Sequence, residues 1–276
     1  SKEICPADRV LYSIRDLSGT VPSLPLIISS IMSKKIAEGL DGLVIDLKVG
    51  NGTFMKTLES AKKLGEGLKK IGENFNIKTD IVYTNMNQPL GKYAGLKCEI
   101  FESIDCLNGR GSDDLMNVTL ELGSRILLQS KLMPDKKTAK DSMKKTIENK
   151  IALNKFKEIV ALQGGNIDSL EEDNSTKNNA ILIETQESGY INSMKTDIIG
   201  WALIELGAGR KYKNDKIDYS AGIEFIKKTG DKVNKGDPIF KIFGRDPKRL
   251  NTAKKMLKKT YTIKNSEAQK EDLIIM

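Results

Sequence analysis

Apolar residues recur along this chain with two periods, and the switches between them outline its elements. Leu24 to about Glu38 carries apolar residues at helical spacing behind Ser23 as an N-cap and Pro25 in the first turn, and Gly39 supplies the stop. Residues 1–11 read as a lead-in, with Pro6-Ala7-Asp8 as a turn. LVIDLKVG at 43–50 is a near-continuous apolar run, as in a buried strand of a parallel sheet, and Gly50-Asn51-Gly52 turns the chain after it. Thr57 is positioned to cap a helix over 58–73, in which Leu58, Ala61, Leu64, Leu68 and Ile71 share a face. KTDIVYTN at 78–85 is the next strand, so the pattern predicts a parallel, right-handed strand-helix-strand unit. Met86 to Gly91 forms the loop at that strand's C-terminal end, where open α/β sheets bind ligands. Helical runs follow at 92–107, 112–129, 137–149 and 151–163.

Past Gly164-Gly165 the periodicity stops. Residues 166–180, NIDSLEEDNSTKNNA, hold few apolar residues and many turn formers, and read as a linker. Beyond them ILIETQESGYI, IIGWALIELGAG and IEFIKKTGDKVNKGDPIFKIF predict a small β-rich module with one helix, in which GDKVNKGDPIF reads as a hairpin. KRLNTAKKMLKK near the end is a basic amphipathic helix, best taken as a surface helix.

Composition narrows the function classes. At 276 residues and 39% hydrophobic, the chain can bury the core of one large or two smaller domains. It has no apolar run of membrane-spanning length and no signal-peptide pattern, so no membrane partner and a cytoplasmic location are expected. The net charge of +8 arises from 45 basic residues scattered among 37 acidic ones with 5% aromatics, which argues against nucleic acid as a partner and suits an enzyme that collects anions. Cys5, Cys98 and Cys106 lack metal-ligand spacing, and Cys98 and Cys106 behave as small apolar residues. Histidine is absent, which removes the commonest general acid. No organic cofactor is expected: Met194-Lys195 lacks the flanking residues of a biotinyl-lysine.

Candidate chemistry centres on the 24–38 helix. Ser30 and Lys34 are four residues apart, so a hydroxyl and an ammonium share one face, and Arg15 lies just upstream. If the intervening turn folds back, the three converge on a flat ligand with several acceptors. By spacing alone, Ser and Lys on a helix are more often its solvated face.

The ordered motifs RD-x(3)-TV-x-SLPLI-x(2)-SIMSKK, GLDGLVIDLKVGNGTFMKT and MNQPLG extend this reading, because together they resemble the thymidine and pyrimidine-nucleoside phosphorylase family. The likeness runs over about the first 130 residues, with a weaker echo in the GDKVNKGDPIF segment, which is also similar to lipoyl or biotinyl barrel-sandwich modules. Leu17-Ser18-Gly19 and Pro22 depart from the family pattern.

The resemblance implies reversible phosphorolysis of thymidine or uridine to free base and a sugar 1-phosphate, with phosphate as co-substrate and a homodimer as the assembly. It implies that Arg15, Ser30 and Lys34 hold the pyrimidine, that Arg15 and Lys34 are catalytic, and that Tyr12 and Phe54 form apolar walls. It further implies that Leu90, Tyr93 and Glu102 help to hold potassium. The expected fold is α/β: a mostly parallel sheet flanked by helices, preceded by part of a helical domain and followed by a small barrel-sandwich-like module. The expected division is 1–38 as the remnant of the helical domain, 39–165 as the α/β domain, 166–180 as the linker and 181–276 as the C-terminal module. The first residue is Ser and the family's phosphate loop is absent, so the chain is expected to be the C-terminal portion of a longer protein, binding a pyrimidine weakly without turning it over. A related phosphoribosyltransferase, or a non-catalytic binding or dimerisation subunit, are the alternatives.

Overall fold

The computed structural model describes residues 5–167, 179–212, 214–268 and 271–275. The expected linker falls almost wholly outside them.

The chain enters through a helix, where a lead-in and turn were expected. Helix α1 (Pro6–Ser18) starts on Pro6 at its first position, and Gly19 ends it in the left-handed conformation at φ 67°. The proline that suggested a turn is compatible with a helix at N1, where no N–H is needed. Arg15 is therefore a helical residue. After a short turn, α2 (Leu24–Ala37) matches its predicted span, although the Ser23 side chain makes no cap hydrogen bond. Leu24, Ile27, Ile28, Ile31 and Met32 face the core, with Met32 fully buried, which turns Ser30 and Lys34 toward α1.

Strand β1 (Gly42–Val49), helix α3 (Leu58–Asn74) and strand β2 (Lys78–Asn85) form the predicted unit. The strands pair in parallel from Gly42 opposite Lys78 to Val49 opposite Asn85. Thr57 caps α3 by accepting from the Ser60 amide at 3.2 Å, and the Ser60 hydroxyl lies 3.4 Å from the Thr57 amide in a reciprocal capping box. Leu47, Val49, Met55, Ala61, Leu64, Leu68 and Ile81 join Met32 in the core between sheet and helices.

The predicted helix over 92–107 begins later than expected. Tyr93 and Ala94 form strand β3, and α4 runs from Leu96 to Leu107. Gly95 separates them at φ 138°, a conformation closed to other residues, which is why the helix cannot extend back to Lys92. Cys98 and Cys106 both lie on α4 as free thiols. Helices α5 (Asp113–Gln129), α6 (Lys136–Glu148) and α7 (Ile151–Leu162) follow as predicted. Glu121 of α5 is buried and is bound by Arg125 at 2.9 Å, Lys136 at 2.7 Å and Lys140 at 2.8 Å, which ties α5 to α6.

The C-terminal module contains β4 (Ala180–Glu184), β5 (Gly189–Met194), α8 (Thr196–Leu206), β6 (Gly222–Phe225), β7 (Lys232–Val233), β8 (Pro238–Phe243), α9 (Pro247–Leu257) and β9 (Tyr261–Lys264). Two antiparallel sheets, ordered β3-β6-β8-β4 and β7-β5-β9, enclose a core that includes Ile183, Ile191, Ile223, Phe240 and Ile242. Phe240 meets Phe225 and Tyr261 edge-on, with ring centroids 6.1 and 5.9 Å apart. GDKVNKGDPIF is not a hairpin: β7 pairs with β5 while β8 pairs with β4 and β6, so the turn at Asn234–Asp237 carries the chain from one sheet to the other.

Two strands cross between the halves. Strand β3 pairs with β6 of the module, and β10 (Ile274–Ile275) returns to lie antiparallel beside β2. The first sheet is thus one parallel and one antiparallel pair, not mostly parallel as expected, because its third strand is supplied by the far end of the chain and needs no crossover helix. The fold is mixed α/β with a small antiparallel module.

Candidate functional site

The facing surfaces of α1 and α2 gather four side chains. The Lys34 Nζ donates to the Ser30 Oγ at 3.1 Å and to the Ser30 carbonyl at 2.5 Å, so the i, i+4 pair read from spacing is formed. Its remaining hydrogen goes to the Asp8 Oδ2 at 2.5 Å. All three ammonium donors are engaged. Burial works against the charged form of Asp8, but hydrogen bonds from Lys34 and Ser30 and the charges of Lys34 and Arg15 outweigh it and hold the carboxyl below its usual range.

Arg15 lies two turns beyond Asp8 on α1 and is 5% exposed. Its guanidinium folds over the turn joining the two helices, donating to the Val21 carbonyl at 2.6 Å and the Leu26 carbonyl at 3.2 Å. Its Nε is buried without a partner. The Tyr12 ring lies under the guanidinium, 5.4 Å from its carbon to the ring centroid. Tyr12, Arg15, Ser30 and Lys34 therefore share one neighbourhood. Phe54 occupies the loop after β1 and is 65% exposed.

Leu90, Tyr93 and Glu102 also come together, along a cavity of about 460 Å³ between the β2 loop, α4 and α8. The buried Glu102 carboxylate accepts from the backbone amides of Lys92 at 2.6 Å and Tyr93 at 3.3 Å. Burial raises its pKa, partly offset by those amides and the charge of Lys228. Burial, with Glu224 and neighbouring anions, pushes the Tyr93 phenol up to about 12. An oxygen ligand among loop backbone, removed from bulk water, suits a hard monovalent cation; among the described residues no group of three or more His, Cys, Asp and Glu is placed to hold a metal ion.

Two residues escaped the sequence reading. Asp8 was placed in a turn; taken as helical, its seven-residue spacing from Arg15 would have set both on one face. Asn51, read as part of a structural turn, ties the halves together: its amide donates to the Met194 carbonyl at 2.9 Å and its oxygen accepts from the Thr196 amide at 2.6 Å. No local pattern announces a contact between residues so far apart in sequence.

Comparison with known proteins identifies the class. Residues 1–153 match the glycosyl transferase family a/b domain, and residues 190–264 match the pyrimidine nucleoside phosphorylase C-terminal domain. A thymidine phosphorylase of Metamycoplasma hominis is 42% identical over 252 residues, which cover 91% of this chain and 93% of that protein. Pyrimidine-nucleoside phosphorylases of Staphylococcus haemolyticus and Bacillus subtilis are 42% and 41% identical over 88% of this chain, which spans only 56% and 57% of their lengths. The chain belongs to the thymidine and pyrimidine-nucleoside phosphorylase family of pentosyltransferases. Among the described residues no helix is long and apolar enough to cross a membrane.

Proposed function

We propose that this chain carries the base-binding side of a pyrimidine-nucleoside phosphorylase acting on thymidine or uridine with phosphate in nucleoside salvage in the cytoplasm. The observation that carries the reading is the Ser30–Lys34 hydrogen bond on the helix face beside Arg15, within a chain so similar to thymidine and pyrimidine-nucleoside phosphorylases.

In this reading phosphate attacks the anomeric carbon, and the sugar passes through an oxocarbenium-like state as negative charge grows on the departing base. Lys34, on exchanging one of its present hydrogen bonds for the base, and the positive charge of Arg15 beside it stabilise that charge; a donor aimed at developing charge is worth roughly 3–4 kcal/mol. Ser30 meets the ring edge, and Tyr12 and Phe54 wall the base. Bringing phosphate in line with the bound nucleoside is the other part of the rate, through placement of two reactants. Residues 1–38 are the segment of a helical domain that presents the base site, 39–165 the α/β domain and 181–276 the C-terminal module, with 166–180 as linker. Potassium, where held, would use Glu102 and the backbone at Leu90 and Tyr93, stiffening the loop after β2. The exposed Val10, Leu11, Ile14 and Leu17 of α1 support a homodimer.

Calorimetric titration of the chain with thymine and uracil tests the base site. Saturable binding that falls by about tenfold or more in Lys34→Ala, with the circular dichroism spectrum unchanged, is expected. No binding, or binding indifferent to Lys34, refutes it.

A further inference from the structure

The parallel strands β1 and β2 end at a second cavity, of about 390 Å³, which is in the size range of ligand pockets. Open α/β sheets bind ligands at this end of their strands, and here the C-terminal module and the returning tail supply the opposite walls. The cavity shares no residue with the α1–α2 cluster or with the Glu102 cavity.

Its polar groups are held in place with hydrogen-bonding capacity left over. The Asn85 and Asn87 side-chain amides both donate to the Glu271 Oε2, at 2.5 and 2.6 Å, so that among the described residues Oε1 remains an open acceptor. The Gln88 Oε1 accepts from the Thr229 amide at 3.1 Å, which fixes the side chain and leaves the Nε2 hydrogens to donate. On the module side β5 is irregular: Ile191 pairs with Ile263 and Ser193 with Thr262, so Asn192 is an extra residue in the strand. Bulges of this kind re-aim a side chain and are frequent beside active sites, and Asn192 lines the cavity.

The chemistry of the walls selects the ligand. No lysine or arginine lines the cavity and a carboxylate does, so a phosphate would meet like charge without a counter-charge. No aromatic ring lines it, so a flat base would have no face to stack on. Carboxamides, hydroxyls and one carboxylate suit an uncharged molecule with neighbouring hydroxyls. A carboxylate oxygen accepts from one sugar hydroxyl, as acidic side chains do for ribose in dinucleotide-binding folds, and amide groups meet the next.

We propose that this cavity is an accessory site for the cis-diol of an uncharged pentose, free or as the ribosyl part of a nucleoside, with Glu271 accepting from one hydroxyl and Gln88 and Asn192 engaging the other. Phosphorolysis interconverts a neutral nucleoside and an anionic sugar 1-phosphate, so such a site responds to the neutral side alone. It uses none of the base-site residues, and the two are tested separately.

Calorimetric titration of the unaltered chain with D-ribose should give saturable binding. 2-Deoxy-D-ribose, which lacks one hydroxyl of the pair, and ribose 1-phosphate should each bind more weakly by about tenfold or more. In Glu271→Gln the one remaining side-chain oxygen serves Asn85 and Asn87 while an amide nitrogen faces the cavity, so ribose should weaken by about tenfold with uracil binding unchanged. Asn192→Leu fills the cavity without touching those bonds and should abolish ribose binding; it decides the matter if Glu271→Gln fails to fold. In Lys34→Ala, which disables the base site, uridine binding tighter than ribose assigns the nucleoside as ligand and uridine binding no tighter assigns the free pentose; both support the site. No saturable ribose binding, ribose binding indifferent to both cavity variants, or a response to potassium with none to ribose overturns it. Failure of the unaltered chain to bind uracil while it binds ribose refutes the base site and leaves this inference standing.

Discussion

Glu121 offers the most direct test of how α5 and α6 are held together. The perturbation is Glu121→Gln, which keeps the shape and removes the charge facing Arg125, Lys136 and Lys140. Burial disfavours the Glu121 carboxylate, but hydrogen bonds from the three cations prevail and lower its pKa from 4.5 to about 2. At roughly 1.4 kcal/mol for each tenfold change in proton affinity, that is an upper bound of about 3 kcal/mol. The three cations are one-third to one-half exposed, so solvent screening brings the expected loss to about 2 kcal/mol. The sign follows from a depressed pKa: the contribution is complete above the unfolded value near 4.5 and disappears as pH falls toward 2. Urea unfolding at pH 7 should show Glu121→Gln less stable by about 2 kcal/mol, and the gap should narrow at pH 3. A gap of the same size at both pH values would mean that Glu121 acts through packing and would refute the electrostatic account.

Gly95→Ala should cost more than about 2 kcal/mol, since φ is 138° and the new Cβ would collide with the Ala221 carbonyl oxygen; a urea midpoint close to that of the unaltered chain would contradict this. Replacing potassium by tetramethylammonium should lower the melting temperature of the unaltered chain, and Glu102→Gln should reproduce part of that drop; indifference to both removes the cation assignment. Sedimentation should detect self-association of the chain through the exposed apolar face of α1, and Leu17→Lys should shift it toward monomer. An unaffected equilibrium in Leu17→Lys would exclude that face.

What the sequence determined by itself is what local chemistry encodes. The spans of α2, α3, β2 and α5 to α7 follow from hydrophobic period and end signals, since caps, glycines and apolar faces act within a few residues. The Ser30–Lys34 pair was legible for the same reason: helix geometry alone makes i and i+4 neighbours. Tertiary structure decided the rest. Pro6 opens a helix because α1 has α2 to pack against, and that packing brings Asp8 to Lys34 across 26 residues of sequence. Tyr93 left the expected helix because β6, arriving from more than a hundred residues away, offered its backbone a partner. The direction of the third strand beside β2, and the transfer of GDKVNKGDPIF between two sheets, depend on where distant chain returns. Such pairings are set by the closure of the whole fold, and no short window of residues contains them.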